Sequence, residues 1–170
     1  RNVQGRDFVL EQGRFRRLEG WRRSYLVNRG GTASTYNPGN SVVFRDLTVG
    51  DTGTTLTVNL EGKLSPGYIE FSNSKDHYVL TQGSASGVLS GTFGIVKKGS
   101  ASVTLATDNS GMSGTIDLKE GFLVAGHVNA LGTGTLKFNG GSLVLGVDNV
   151  AVSTIEGVDV KIVVDGNNSF

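Results

Sequence analysis

Two imidazoles, His77 and His127, and no cysteine set the limits of the chemistry this chain can do. Thiolate nucleophiles, disulfides and Cys-held metals are excluded, so acid–base or metal chemistry would have to come from these two rings and from carboxylates. Lys75-Asp76-His77 puts a cation, an acid and a base side by side, the residue types of general acid–base catalysis. No Ser or Cys nucleophile is placed beside them by spacing, and the run reads as a charged loop tip. His127 follows Gly126 and reads as a surface residue at a turn, and neither ring has an acid cluster at ligand spacing.

Carboxylates offer a second chemistry. Enzymes that cut polysaccharides set two acids, or an acid and a base, across the scissile bond. Asp117 lies one 20-residue step before Lys137, with Asp159 and Lys161 near the following step, so these groups could line one face. A cross-strand charge pair of a few tenths to about 1 kcal/mol is the plainer reading. Asp108-Asn109 and Asp148-Asn149 could supply oxygens to calcium, but they are two such steps apart, roughly 10 Å if each step is one strand spacing. They read as turn residues, and the calcium-binding nonapeptide Gly-Gly-x-Gly-x-Asp is absent. Gly30-Gly31 and Gly140-Gly141 have no following helix to make them phosphate loops. No catalytic, metal or cofactor residue is assigned.

Binding chemistry concentrates elsewhere. Residues 1–30 hold eight Arg against Asp7, Glu11 and Glu19, a net +5 that leaves −4 for the remainder of a chain of net +1. Arg14, Arg16, Arg17, Trp21, Arg22 and Arg23 interleave cations with aromatics, a candidate docking or polyanion contact. Nucleic acid is the least favoured polyanion here. Phe8-Val9-Leu10, Phe15, Leu18 and Tyr25-Leu26-Val27 supply apolar bulk to the same segment, which suits a cap over the end of a repeat stack. Tyr36, Tyr68, Phe71 and Tyr78 form the one aromatic set that could line a groove for glycan.

The elements that would carry these residues are short strands. With 26 Gly, 2 Pro and many Val, Leu, Ile, Thr and Ser, the composition is all-β with frequent turns. From Gly94 onward the chain repeats in steps of 20: Gly94 falls on Gly114 and Gly134, Val96 on Ile116 and Leu136, Val103 on Leu123 and Leu143, and Asn109 on Asn129 and Asn149. Apolar residues alternate with polar ones in two runs per period, as in Ile116-Asp117-Leu118 and Leu123-Val124-Ala125. Strands this short are not stable as isolated hairpins, but a coiling chain superimposes equivalent strands and pairs them in parallel. Less regular runs upstream (Val42-Val43-Phe44, Leu56 to Leu60, Tyr68 to Phe71, Tyr78 to Leu80, Val88-Leu89) and a slipped continuation from Ile155 to Val164 extend the stack. About eight coils at roughly 4.8 Å each are expected, a rod near ~40 Å. The organisation predicted is an arginine-rich capping or docking segment, residues 1–30, and a β-solenoid over residues 31–170.

Gly94 to Gly146 resembles the autotransporter-associated β-strand repeat, also called the passenger-associated transport repeat. Lys98-Gly99 with Val103-Thr104-Leu105 matches its first strand, Asn109-Ser110-Gly111-Met112-Ser113-Gly114 its turn, and Glu120-Gly121-Phe122-Leu123-Val124 its next strand. Ala130-Leu131-Gly132 matches the link and Gly140-Gly141-Ser142-Leu143-Val144-Leu145 the close, while Ala101 stands where the family usually has Gly. With the lead-in from Pro38-Gly39-Asn40, the resemblance covers about residues 38 to 147. It implies a right-handed parallel β-helix in a large secreted or bacterial cell-surface protein, serving transport, display or adhesion, with no catalytic residues and no cofactor.

The expected function is therefore a structural or display module acting as stalk, adhesive or self-assembling surface, whose partners are neighbouring repeat modules, copies of itself in a head-to-tail filament, or surface glycans. A glycan-binding module is the alternative, and a β-helix polysaccharide-degrading enzyme comes third. No run of about 18 apolar residues is present to span a membrane.

Overall fold

The computed structural model describes residues 36–47, 50–83 and 86–164, together with the strand backbones Phe8–Val9 (β1), Leu26–Asn28 (β2) and Ala33–Ser34 (β3). The remaining strands are β4 (Ser41–Arg45), β5 (Thr55–Leu60), β6 (Lys63–Leu64), β7 (Tyr68–Ser72), β8 (His77–Gln82), β9 (Val88–Leu89), β10 (Gly94–Lys98) and β11 (Ser102–Ala106). They are followed by β12 (Ile116–Leu118), β13 (Phe122–Ala125), β14 (Thr135–Phe138), β15 (Ser142–Leu145), β16 (Thr154–Gly157) and β17 (Ile162–Val164). Every described element is a strand, and no helix among the described residues is long and apolar enough to cross a membrane.

The strands stack as a β-solenoid. One sheet runs β16-β14-β12-β10-β7-β4-β1-β2-β3, a second runs β17-β15-β13-β11-β8-β5, and β6 pairs with β9 on a third, narrow side. From β4 onward every pairing between named strands is parallel, each strand bonding to its counterpart one turn away. Among the described residues the second sheet has six rungs, not the eight coils expected, and spans ~24 Å at the usual strand spacing. Turn length is the reason. From Ser41 to Tyr68 a turn takes 27 residues and from Tyr68 to Gly94 it takes 26, because β6 and β9 and their loops lie within it. It then tightens to 21 from Ile95 to Ile116, 20 from Ile116 to Leu136 and 19 from Leu136 to Ile155.

Period-2 alternation builds the interior. On the first sheet Val42, Ile69, Ile95, Ile116 and Leu136 are register partners pointing inward, and on the second Tyr78, Val103, Leu123 and Leu143 meet them. All belong to one hydrophobic cluster. Near its wide end Phe44 stacks on Phe71 with centroids 4.7 Å apart, and Tyr78 meets Phe44 edge-on at 5.2 Å. Such contacts add to plain burial.

Two glycine devices let the rungs approach. At the corner between β12 and β13, Gly121 has φ +69°, which a side chain resists. At the other corner a Cβ on Gly114 would run into the carbonyl of Phe93, and one on Gly134 into that of Gly114. Those are the glycines of the 20-residue step. The step itself needs one correction: Ile95, not Val96, pairs with Ile116, because that turn has 21 residues. Val96 faces outward beside Asp117.

Candidate functional site

The register shift exposes the feature that the sequence hid. With Ile95 inward, Lys97 is inward too, paired between Phe71 and Leu118, and it is fully buried. Its stem lies in the apolar stack while Nζ reaches the corner, donating to the carbonyls of Lys98 (2.9 Å), Gly99 (2.5 Å) and Glu120 (3.4 Å). Burial pushes its pKa down to about 8, against the opposing pull of Glu120 and Asp46. With Nζ on carbonyls of its own corner and of Glu120 one turn on, this lysine fastens the β10–β11 corner to the next turn.

Carboxylates act in the same way two turns earlier. Asp46, just after β4, accepts the amides of Ser74 (2.9 Å), Lys75 (2.8 Å) and Asp76 (2.8 Å) across the turn. Burial opposes its charged form, yet those three amides outweigh it and hold the carboxyl below its ordinary range. Asp76 is itself buried and accepts the amides of Leu47 (2.6 Å) and Thr54 (3.0 Å). It is therefore a corner fastening and not part of a charged loop tip. Asn73, also buried, donates to the carbonyls of Asp76 (2.7 Å) and Ser102 (3.1 Å), tying two turns.

Asn109 reads from the sequence as a turn residue, but it serves through its side chain. Fully buried, it accepts from Leu89 N at 3.0 Å on the turn before and donates to Ala130 O at 2.8 Å on the turn after, with Thr107 Oγ1 at 2.8 Å. Of the periodic asparagines it is Asn149 whose backbone is left-handed, at φ 59°.

His77 lies exposed at the start of β8. Its Nδ1 is 2.8 Å from Ser102 Oγ, one turn on, a contact that spacing alone did not reveal. A hydroxyl beside an imidazole is the first half of a nucleophile–base pair. Here the same Nδ1 also accepts the Ser102 amide at 3.1 Å, and among the described residues no carboxylate orients the ring's other nitrogen. That pattern caps β11 rather than activating its serine. His127 is half-buried, and its Nδ1 accepts the amide of Asn129 at 3.0 Å.

The outer faces of the two long sheets differ in charge. On the first, Glu70 accepts from Tyr68, Ser72 and Lys98, the last an ion pair of 3.2 Å. Asp117 and Lys137 are register partners on adjacent turns as the spacing implied, yet Asp117 turns instead to Asn139 Nδ2 (2.7 Å) and Lys119 (3.8 Å). The partner of Lys137 on the next turn is Glu156; Asp159 sits apart at a left-handed turn, φ 54°. On the second sheet the central outward row is Thr57, Val79, Thr104, Val124, Val144 and Val163, without a charge, and Phe122 stands exposed between its register neighbours Ser102 and Ser142.

The four aromatics assigned to a glycan groove are not brought together on a surface. Phe71 and Tyr78 point into the core, Tyr36 is half-buried against it, and Tyr68 is half-buried with its hydroxyl on Glu70. The reason is that β7 and β8 each bury alternate residues: Phe71 and Tyr78 fall on the inward phase and Tyr68 on the outward one, while Tyr36 precedes β4. Arg14, Arg16, Arg17, Trp21, Arg22 and Arg23 lie outside the described residues. Of their segment, β1 pairs with β4 in parallel and β2 with β1 antiparallel, so its backbone joins the first sheet. Among the described residues no three His, Asp or Glu converge as a metal site would need. No protein-family model, no curated protein and no solved structure matches the chain.

Proposed function

We propose that this chain is a structural and display module of a secreted or cell-surface, autotransporter-like protein, serving as stalk, adhesive or self-assembling surface. One observation supports this reading above the others: the buried polar side chains Asp76, Asn73, Lys97 and Asn109 each bond between successive turns. Catalysis needs polar groups held ready for a substrate, whereas here the Asp76 carboxylate, the Lys97 ammonium, the Asn109 amide and the Asn73 amide nitrogen are engaged with backbone and stiffen the stack. The resemblance of residues 38 to 147 to the passenger-associated repeat points the same way.

The test is enzymatic and mechanical together. Incubated with a broad panel of polysaccharides, the purified chain is expected to release no reducing ends, and to resist proteolysis across residues 36–164 under native conditions. Turnover of any glycan, or rapid cleavage within the stack, would sink the proposal.

A second reading, glycan binding without cleavage, gains from the exposed ring of Phe122 flanked by Ser102 and Ser142, since sugars stack on aromatic faces and bond to hydroxyls. A glycan array that scores positive for the chain and negative for Phe122→Ala would establish it.

A further inference from the structure

Asn139 and Gly140 form the only Asn-Gly step in the sequence, and both are exposed on the corner between β14 and β15. The corner is gripped on both sides: the amides of Asn139 (2.8 Å) and Gly141 (3.1 Å) donate to Leu118 O one turn back. Between them the Gly140 amide donates no hydrogen bond among the described residues. Gly140 has φ +119°, and without a Cβ it leaves its own nitrogen unhindered. The Asn139 carboxamide turns to the preceding rung, with Nδ2 donating to Asp117 Oδ1 at 2.7 Å.

A carboxamide followed by a free, unhindered amide nitrogen is a reactive pair, and the other asparagines of residues 36–164 lack it. Asn37 precedes Pro38, which has no N–H to give up. The residues after Asn40 and Asn59 lie in β4 and β5. The amide after Asn73 is held by Asp46, that after Asn109 by Asp108 at 3.1 Å, and that after Asn129 by His127 O at 3.1 Å. Asn149 precedes Val150, whose branched side chain crowds its amide. We infer that Asn139 is a self-modification site, at which the Gly140 nitrogen converts the side-chain amide into a carboxylate through a cyclic imide.

Water is the only co-reactant the conversion needs. The Gly140 amide loses its proton to solvent base, its nitrogen bonds to Cγ of Asn139, and Nδ2 takes up a proton and leaves as ammonia. Water then opens the imide. Breaking the new bond from nitrogen to Cγ gives aspartate, whereas breaking the original peptide bond gives isoaspartate, with the chain rerouted through Cγ. Nothing is oxidised or reduced. Either product sets a second carboxylate where Nδ2 met Asp117 Oδ1, so an attraction becomes a like-charge repulsion. Isoaspartate also lengthens the corner whose flanking amides share Leu118 O, and the grip of that corner on the preceding turn loosens.

Peptide mapping by mass spectrometry tests it, on the full chain held folded in mildly alkaline buffer and sampled over weeks. Conversion at Asn139 is expected to run roughly tenfold or more ahead of every other asparagine of residues 36–164. It should slow in mildly acidic buffer, because the Gly140 nitrogen must first lose its proton. Isoaspartate is expected among the products, since direct hydrolysis of the side-chain amide yields aspartate alone. In the converted chain the amides of Asn139 and Gly141 should exchange hydrogen faster. Asn139→Gln, which would have to close a larger ring, is expected to keep its amide over the same period and to leave the far-UV circular dichroism unchanged. Conversion at Asn139 no faster than at Asn149, aspartate without isoaspartate, or equal loss of the amide in Asn139→Gln would each overturn the inference, and unchanged exchange at the two amides would overturn the loosening.

Discussion

Asp46 and Asp76 cap each other's turns: Asp46 Oδ1 accepts the Asp76 amide at 2.8 Å, while the Asp76 carboxylate takes the amides of Leu47 and Thr54 from the corner that follows Asp46. Two like charges are tolerated there because each is held by backbone N–H groups. Asp46→Ala strips acceptors from the amides of Ser74, Lys75 and Asp76 and is expected to cost about 2–3 kcal/mol in urea unfolding at neutral pH.

Acid adds a second readout at the same site. The folded-state pKa of Asp46 is lowered, so its contribution is present above the ordinary carboxylate range and is lost as pH falls through the lowered value. Asp46→Asn, which keeps an acceptor without the charge, is expected to flatten the acid limb of stability below about pH 4. An acid limb unchanged in that variant would assign it to other carboxylates.

Asn109 joins three turns at once, through Leu89 N, its own rung and Ala130 O. Asn109→Ala leaves a buried amide and a buried carbonyl without partners and opens a small cavity, a loss of about 2–4 kcal/mol. Hydrogen exchange gives the sharper check: the Leu89 amide should lose its protection in the variant even where neighbouring amides keep theirs. Retained protection at Leu89 would mean that another acceptor replaces Asn109.

Alkali should strengthen the fold before it weakens it. The pKa of Lys97 falls to about 8 in the folded chain against an ordinary value of 10.5. Between those values the unfolded chain holds a proton that the folded one has released, so stability rises with pH over that window, by up to about 3 kcal/mol. Tyr78, Tyr68 and Tyr36 act in the opposite sense. Burial raises all three, so their ionisation favours the unfolded chain and erodes stability above about pH 10. Denaturant midpoints measured from pH 7 to 11 should therefore pass through a maximum, and Lys97→Met should remove the rising limb while keeping the falling one.

What could be read from the residues, and what could not, divides along the period. Alternation within β11, β13 and β15 fixed their inward residues, and the steps Val103 to Leu123 to Leu143 are true register partners. Between β10 and β12 the same 20-residue ruler failed by one, because the turn holds 21, and a one-residue slip moves every side chain to the opposite face. A ruler that sets Val96 inward sets Lys97 outward by alternation, and so conceals the buried lysine. Ile95 carried the missing signal: taking it as inward makes Lys97 inward by alternation. The capping by Asp46, Asp76 and Asn73 had no such signal, since it joins residues 22 to 30 positions apart across turns whose lengths only the stack reveals. The buried placement of Phe71 and Tyr78 was within reach, because period 2 through Ile69 and Leu80 puts both rings in the core.

The glycine ladder gives the most local test of the stack. Gly114 and Gly134 are one step apart, and each lies where the preceding rung's backbone passes, so a methyl on either meets carbonyl oxygen and not a side chain that could swing away. Backbone cannot yield without breaking the ladder hydrogen bond from Ile95 N to Thr115 O that runs beside Gly114. Gly114→Ala is accordingly expected to destabilise the chain by about 3 kcal/mol, at the upper end of what overpacking costs. Gly94 is the control: the 20-residue spacing reaches it, but the 21-residue turn sets it beside Thr115 and not Gly114, its nearest atom to a new Cβ is Thr115 O at 3.5 Å, and its φ is not in the left-handed region, so Gly94→Ala should cost less than about 1 kcal/mol. Equal losses at the two positions would show that the step's glycines serve the unfolded chain or the turn, and that close approach of the rungs is not what selects them.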